Sequence, residues 1–243
     1  MSDTSSGIRL AAASVSLGGR KVLDDLTLDI TERRVGILGR NGSGKTTLLR
    51  LIAGLIAPAR GSVRVEGADP FSDRKAALSA IGILFQNPDH QILFPTVEEE
   101  LAFGLAQQGQ PQAEALRKAH ALLAAEGRAH WAKAPVSTLS QGQRHYLCLL
   151  SVLLMQPRTI LLDEPLAGLD LPTQARLARR FATLPQRLIT ITHDPATLHA
   201  ADRVIWLEAG RIVADGQPDK VIPAFTAEME RIGEHDADAD LAG

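Results

Sequence analysis

Residues 39–47 read GRNGSGKTT, between the apolar stretches VGIL (35–38) and LLRLIAGLIA (48–57). Three glycines and a lysine thus separate a buried-strand pattern from a buried-helix pattern. Interior glycine costs either element about 0.5–1 kcal/mol relative to alanine, so something here requires a bare backbone. The stretch fits G-x-x-x-x-G-K-[ST] from Gly39 to Thr46. In that arrangement backbone N–H groups surround a phosphate chain, and the following helix adds its positive N-terminal end. The candidate phosphate ligands are Gly39, Arg40, Asn41, Gly42, Ser43, Gly44, Lys45, Thr46 and Thr47. Lys45 would reach the β and γ phosphates, and Thr46 would ligate Mg²⁺. A side chain at Gly42 or Gly44 is expected to hold the backbone away from the phosphates. The pattern arises by chance in roughly one chain in a hundred of this length; the strand-loop-helix context makes chance rarer still.

Further along, TILLDE (159–164) places two carboxylates at the end of an apolar strand. Asp163 can hold Mg²⁺ directly or through water, and Glu164 can polarise an attacking water. Two adjacent carboxylates beside a triphosphate repel without a cation, so magnesium is implied. A lone strand ending in acids is common at a solvent edge; after a phosphate loop it gains weight.

LSQGQ (139–143) is a third stretch. Ser140 and Gln143 suffice for a capping box, and that simple reading stands beside a second one. A capped helix start with a glycine is also an anion-binding end. The first loop already wraps its own nucleotide, so a second device is useful if it closes over a nucleotide held by another copy.

Around these motifs the pattern alternates. Residues 8–38 contain strand-like runs, and a helix is expected over 44–56, ending near Pro58. SVRVEG (62–67) and IGILF (81–85) read as strands. Residues 87–157 are mainly helical in pattern, with a capping box expected at Thr96 and Glu99 and a helix closed by Gly127. TILLD (159–163) and LITIT (188–192) are too apolar for half-exposed strands and suit a parallel sheet covered on both faces. Helices are expected at 173–184 and 195–200, and a hairpin over 203–216 turns at Ala209-Gly210. The end, EHDADADLAG, is acidic and aperiodic, and residues 231–243 are expected to be disordered.

The 243 residues carry a formal charge of −2, so no bulk electrostatic attraction draws the chain to nucleic acid. Apolar residues make up 45% of it, ordinary for a globular protein. The single cysteine, Cys148, lies in an apolar run and reads as a buried, inert thiol suited to a reducing cytoplasm. The start, MSDTSSG, lacks a signal-peptide pattern. The uncharged apolar run 146–155 is about half the ~20 residues a membrane helix needs.

Six motifs in register carry a resemblance: the loop at 39–47, Gln86 in ILFQNPDHQ, LSQGQ (139–143), LLDE (161–164), AGLD (167–170) and ITHD (191–194). Over about 8–220 the chain resembles the ATP-binding subunit of an ABC transporter. The resemblance implies an α/β P-loop NTPase of ABC ATPase architecture. That means a mostly parallel sheet core (about 8–86 and 158–220), an antiparallel β flank and a helical subdomain (87–157). It implies that Gln86 senses the γ-phosphate or its magnesium and that His193 contacts the γ-phosphate. Asp170 would lie on a loop crossing between protomers. Two copies would clamp two ATPs between one phosphate loop and the opposing Ser140, Gly142 and Gln143. Each residue also has a plainer reading: Gln86 as a polar strand end, Asp170 as a helix cap, and His193 as a neighbour of a capping Asp194-Pro195. Two positions depart from the family pattern. Leu17 stands where an aromatic usually stacks on adenine, and LSQGQ replaces LSGGQ.

FQNPDHQILFPTVEEELAFG (85–104) resembles the energy-coupling-factor importers. There an ATPase pair, here expected as a homodimer, drives a transmembrane scaffold protein and a separate substrate-binding membrane protein. That implies a peripheral position on the cytoplasmic face of the cell membrane. TERRVGILGRNGSGKTT and LPQRLITITHD look most like biotin-type ATPases, with cobalt-ion types next. The competing class is a soluble ABC ATPase of translation or DNA repair. One cassette, a short insert and the absence of a basic surface weigh against it; Glu164 and His193 weigh against a regulator without turnover.

Overall fold

The structure, a computed structural model, describes residues 7–234. The first strand, β1 (Ile8–Leu17), buries alternate residues such as Ile8 and Leu10, and turns through Gly18-Gly19 into β2 (Arg20–Ile30). Both glycines have positive φ, 55° and 79°, which a tight hairpin turn needs. The free edge of β1 pairs antiparallel with β4 (Arg60–Val65), giving a three-stranded sheet of order β2-β1-β4. This is the expected antiparallel flank.

The strand before the phosphate loop, β3 (Arg34–Leu38), lies inside a second sheet. With β5 (Ile81–Leu84), β6 (Thr159–Asp163), β7 (Arg187–Thr192), β8 (Arg203–Glu208) and β9 (Arg211–Gly216) it forms the order β5-β6-β7-β3-β8-β9. All pairs are parallel except β8–β9. Burial on both faces accounts for the continuous apolar runs of β6 and β7. Register sets the site: Leu38 pairs with Thr192, and Asp163 pairs with Ile191. The carboxyl ends of β3, β6 and β7 are therefore level, so the loops leaving them share one crevice.

Helix α1 (Lys45–Ile52) is shorter than expected. The chain departs at Gly54, whose φ is +71°, six residues after the apolar run begins. Helix α2 (Arg74–Ala80) went unread in the sequence; Asp73 caps it by accepting from the Ala76 N–H at 2.9 Å. Helices α3 (Val97–Gln107), α4 (Gln112–Ala125) and α5 (Gln141–Leu154) lie between β5 and β6 in the chain. They share one core with the sheet: Val97, Leu101, Leu123 and Leu149 pack in the same cluster as Leu84, Ile160 and Leu188.

The capping box expected at Thr96 does not form. The Thr96 hydroxyl donates to the Glu99 carboxylate at 2.5 Å, while the Val97 and Glu98 N–H groups go to the Ala134 and Ala132 carbonyls. The one expected at Ser140 does form: Ser140 N–H donates to Gln143 Oε1 at 2.7 Å, and Gln143 N–H to Ser140 Oγ at 3.3 Å.

Helix α6 (Leu171–Thr183) follows β6, and the helix expected at 195–200 is a short 3₁₀ turn, Pro195–Leu198. Helix α7 (Pro218–Glu234) runs four residues into the stretch expected as a disordered tail. Val221, Ile222 and Phe225 hold it against Leu38, Val204 and Trp206. That apolar spacing was present in the sequence but went unread, and the helix accommodates Pro223. The rest of the acidic tail lies outside the described residues.

Candidate functional site

Val22, Asn41, Gly42, Gly44, Lys45, Thr46, Thr47, Gln86, Asp163 and Glu164 line one open pocket of about 290 Å³. Six of these come from the phosphate loop and its helix, two from the end of β6 and one from the end of β5. The positive end of α1 faces into it. Lys45 is buried, and its ammonium donates to the Gly39 and Arg40 carbonyls at 2.7 and 2.9 Å. Burial lowers its pKa, an effect opposed by the charges of Glu164 and Asp163. Burial raises the Asp163 pKa, and the Glu164 charge adds to that, while Lys45 opposes it. A cation and a carboxylate held partly desolvated gain from an ionic ligand that completes their partners.

The glycines also answer to packing within the protein. A Cβ on Gly44 would press on β2. It would meet Leu23 Cδ2 at 2.9 Å and the Val22 carbonyl at 3.2 Å. A Cβ on Gly39 would meet the Leu207 carbonyl oxygen at 2.2 Å. Gly42 has open space around it and φ +81°. Close packing beneath the loop requires glycine at Gly39 and Gly44, and positive φ favours it at Gly42 and Gly44.

Glu164 sits at φ +47° directly after β6. Its Oε2 accepts from the Thr192 hydroxyl at 3.0 Å, and its Oε1 lies 2.8 Å from His193 Nδ1. His193 itself is exposed and lines an adjoining cavity of about 700 Å³ that shares Glu164 with the phosphate pocket. Gln86 is exposed at the pocket wall.

The structure does not bring Ser140, Gly142, Gln143 or Asp170 into that pocket. They gather instead where α5 and α6 begin. A Cβ on Gly142 would meet Thr173 Cγ2 at 3.0 Å, and Asp170 caps α6 by accepting from the Thr173 N–H at 2.7 Å. That bond lowers the Asp170 pKa. Asp194 likewise caps its 3₁₀ turn, accepting from the Ala196 N–H at 2.9 Å. Both capping readings thus hold as geometry. Leu17 is 45% exposed and does not line the pocket, whereas the apolar Val22 does. Val22 and Thr192 escaped the sequence reading, although Thr192 directly precedes the flagged His193.

The sequence matches the ABC transporter family profile over residues 23–167. The chain belongs to the ABC transporter family. It is 52% identical over 225 residues to the biotin transport ATP-binding protein BioM of Rhodobacter capsulatus, covering 93% of this chain and 96% of that protein. Among solved structures it resembles cbiO1 of Clostridium perfringens, part of the ABC transporter complex cbiONQ. The TM-score is 0.75 at 28% identity, over 90% of this chain and 91% of that one. It also resembles a dimeric, post-hydrolysis ATP-binding cassette bound to ADP and Pi. There the TM-score is 0.73 at 25% identity, over 87% of this chain and 98% of that one. This ABC protein is accordingly an ATPase that binds ATP. No helix among its described residues is long and apolar enough to cross a membrane.

Proposed function

We propose that this ABC ATPase powers an energy-coupling-factor importer, with biotin as the favoured solute. The observation that carries the solute is the 52% identity, across nearly the whole of both chains, to a biotin transport ATP-binding protein. ATP binds in the pocket above α1, its phosphates on residues 39–47 and Lys45. The pocket also offers the Thr46 hydroxyl, the Gln86 amide and the buried Asp163 carboxylate, an all-oxygen donor set that suits Mg²⁺. When bound, that ion would supply charge compensation at the β and γ phosphates.

Glu164 orients or deprotonates the attacking water, and His193 steadies the γ-phosphate side. Phosphoryl transfer needs positioning and charge stabilisation more than covalent help. Ser140, Gly142, Gln143 and Asp170 stand apart from their own chain's pocket. They complete the pocket of a second, identical subunit arranged head to tail; the relative solved as a dimer with ADP and Pi supports pairing of two cassettes.

Residues 87–157 form the coupling arm on the core of 8–86 and 158–220. Its docking surface is the segment from Gln86 to Gly104, with Leu93 68% exposed and the Phe94 ring tilted against Phe103, centroids 5.0 Å apart. The partner is a cytoplasmic helix of a transmembrane scaffold, which in turn holds a substrate-binding membrane protein. The ATPase is peripheral on the cytoplasmic face. Purification of the native complex from detergent-extracted membranes should recover both membrane partners, and deletion of the ATPase should abolish ATP-dependent biotin uptake. Uptake of cobalt ion instead would change the solute; co-sedimentation with ribosomes would remove the transport reading.

A further inference from the structure

The tip of the β8–β9 hairpin lies about 170 residues beyond the phosphate loop, yet it braces the loop from beneath. The Gly210 N–H donates to the Ser43 carbonyl at 2.9 Å, and the Asp24 N–H donates to the Gly210 carbonyl at 3.0 Å. Beside them Glu208 Oε1 accepts from Arg40 Nε at 3.1 Å and Nη2 at 2.9 Å. The β8 backbone presses on the loop's first residue, since a Cβ on Gly39 would meet Leu207 O at 2.2 Å. An ion pair of Asp24 with Arg211 pins the start of β9 to β2.

The turn is Ala209-Gly210, with φ +45° and +75°. A Cβ on Gly210 would meet the Val22 carbonyl oxygen at 2.1 Å, so only glycine allows this approach. The contact has a direction. A trans peptide points its C=O and N–H opposite ways. Holding the Ser43 carbonyl down on Gly210 therefore turns the Gly44 N–H up, towards the pocket that Gly44 lines. A loop that binds anions through N–H groups works only while those groups converge.

We propose that Gly210 and Glu208 are positioning residues for ATP: the hairpin tip sets the aim of the phosphate-loop N–H groups. This rests on residues 39–47 being the nucleotide site. A brace of this kind acts on binding in the ground state and transition state alike, so its loss raises KM and spares kcat.

The test uses the purified full-length chain with ATP. In Gly210→Ala, KM and Kd for ATP should rise at least tenfold, while kcat at saturating ATP stays within threefold. Should that variant fail to fold, Glu208→Ala should raise KM about threefold with kcat retained. In the unaltered chain, amide exchange at Gly210 should slow when ATP is added, although ATP does not reach it. Wild-type KM in a folded Gly210→Ala, or in Glu208→Ala, overturns the proposal, as does unchanged exchange. Lys45→Ala separates the two readings. If it leaves ATP affinity intact, the nucleotide site itself is misplaced. If it abolishes binding while the hairpin variants bind normally, only the brace is lost.

Discussion

His193 Nδ1 lies 2.8 Å from Glu164 Oε1, and the other carboxylate oxygen is held by the Thr192 hydroxyl at 3.0 Å. The end of β7 and the residue just after it thus supply both supports for the side chain that follows β6, because the two strand ends are level in the sheet. A carboxylate fixed at both oxygens is oriented before ATP arrives. Glu164→Gln keeps the shape and removes the basic oxygen. Turnover should fall by on the order of 10²–10⁴-fold, with ATP affinity within twofold and the ATP-bound dimer accumulating on size exclusion. Normal turnover in this variant would take Glu164 out of the reaction.

The phosphate loop, the strand-end carboxylates and the Ser140 cap were legible because each is a local pattern, set by near neighbours in the chain. The parallel strands were legible because burial on both faces leaves no polar alternation to misread. What escaped depends on distant partners. The Thr96 hydroxyl is taken by Glu99 because carbonyls some 35 residues away satisfy the helix's first N–H groups. Gly44 was flagged for the phosphate, and its close packing against β2 went unread. The brace from Gly210 is a contact between elements that no spacing rule connects. Helix α7 was written in Val221, Ile222 and Phe225, whose partners Leu38, Val204 and Trp206 lie far away in the chain.

His145 follows the Ser140 cap on α5 and is 1% exposed. Its ring hydrogen-bonds to the Pro165 carbonyl, next to Glu164, and its Nε2 is without a hydrogen-bond partner among the described residues. Burial holds its pKa below the ordinary value of 6.5, with the Pro165 bond opposing. A base with a depressed folded pKa stays neutral in the fold and takes up a proton on unfolding. Its contribution is therefore full above about pH 6.5 and is lost as pH falls below that, at a limiting slope of about 1.4 kcal/mol per pH unit. Tm should drop between pH 7 and 5 by more in the natural protein than in His145→Gln. Equal drops would mean the ring protonates without cost.

Cys148, two turns into α5, is fully buried, and burial pushes its thiol up to about 12. Only the thiolate attacks disulfide reagents. At pH 8 the native protein should react with an aromatic disulfide only at the rate of local or global opening. Adding denaturant should raise that rate by orders of magnitude. Rapid stoichiometric labelling of the folded protein would contradict this packing.

Tyr146, next to His145, joins α5 to α6 through a shared carboxylate. Its hydroxyl donates to Glu126 Oε2 at 2.5 Å, and Arg180 Nη2 donates to Glu126 Oε1 at 2.7 Å. The Arg128 guanidinium lies between aromatic faces, 4.6 Å from the Tyr146 ring and 5.1 Å from the Trp131 ring. One carboxylate thereby ties the end of α4, the Ser140 helix and the Asp170 helix into a single unit. Tyr146→Phe removes a hydrogen bond to a charged group and should cost about 1.5–3 kcal/mol in denaturant unfolding. Arg180→Ala leaves Glu126 short of the other partner. Because both act on one carboxylate, their effects should not add: the double variant should show a coupling of about 0.5–3 kcal/mol. Strict additivity would mean that the two helices are held independently, and that the Ser140 and Asp170 ends can shift relative to each other without breaking this contact.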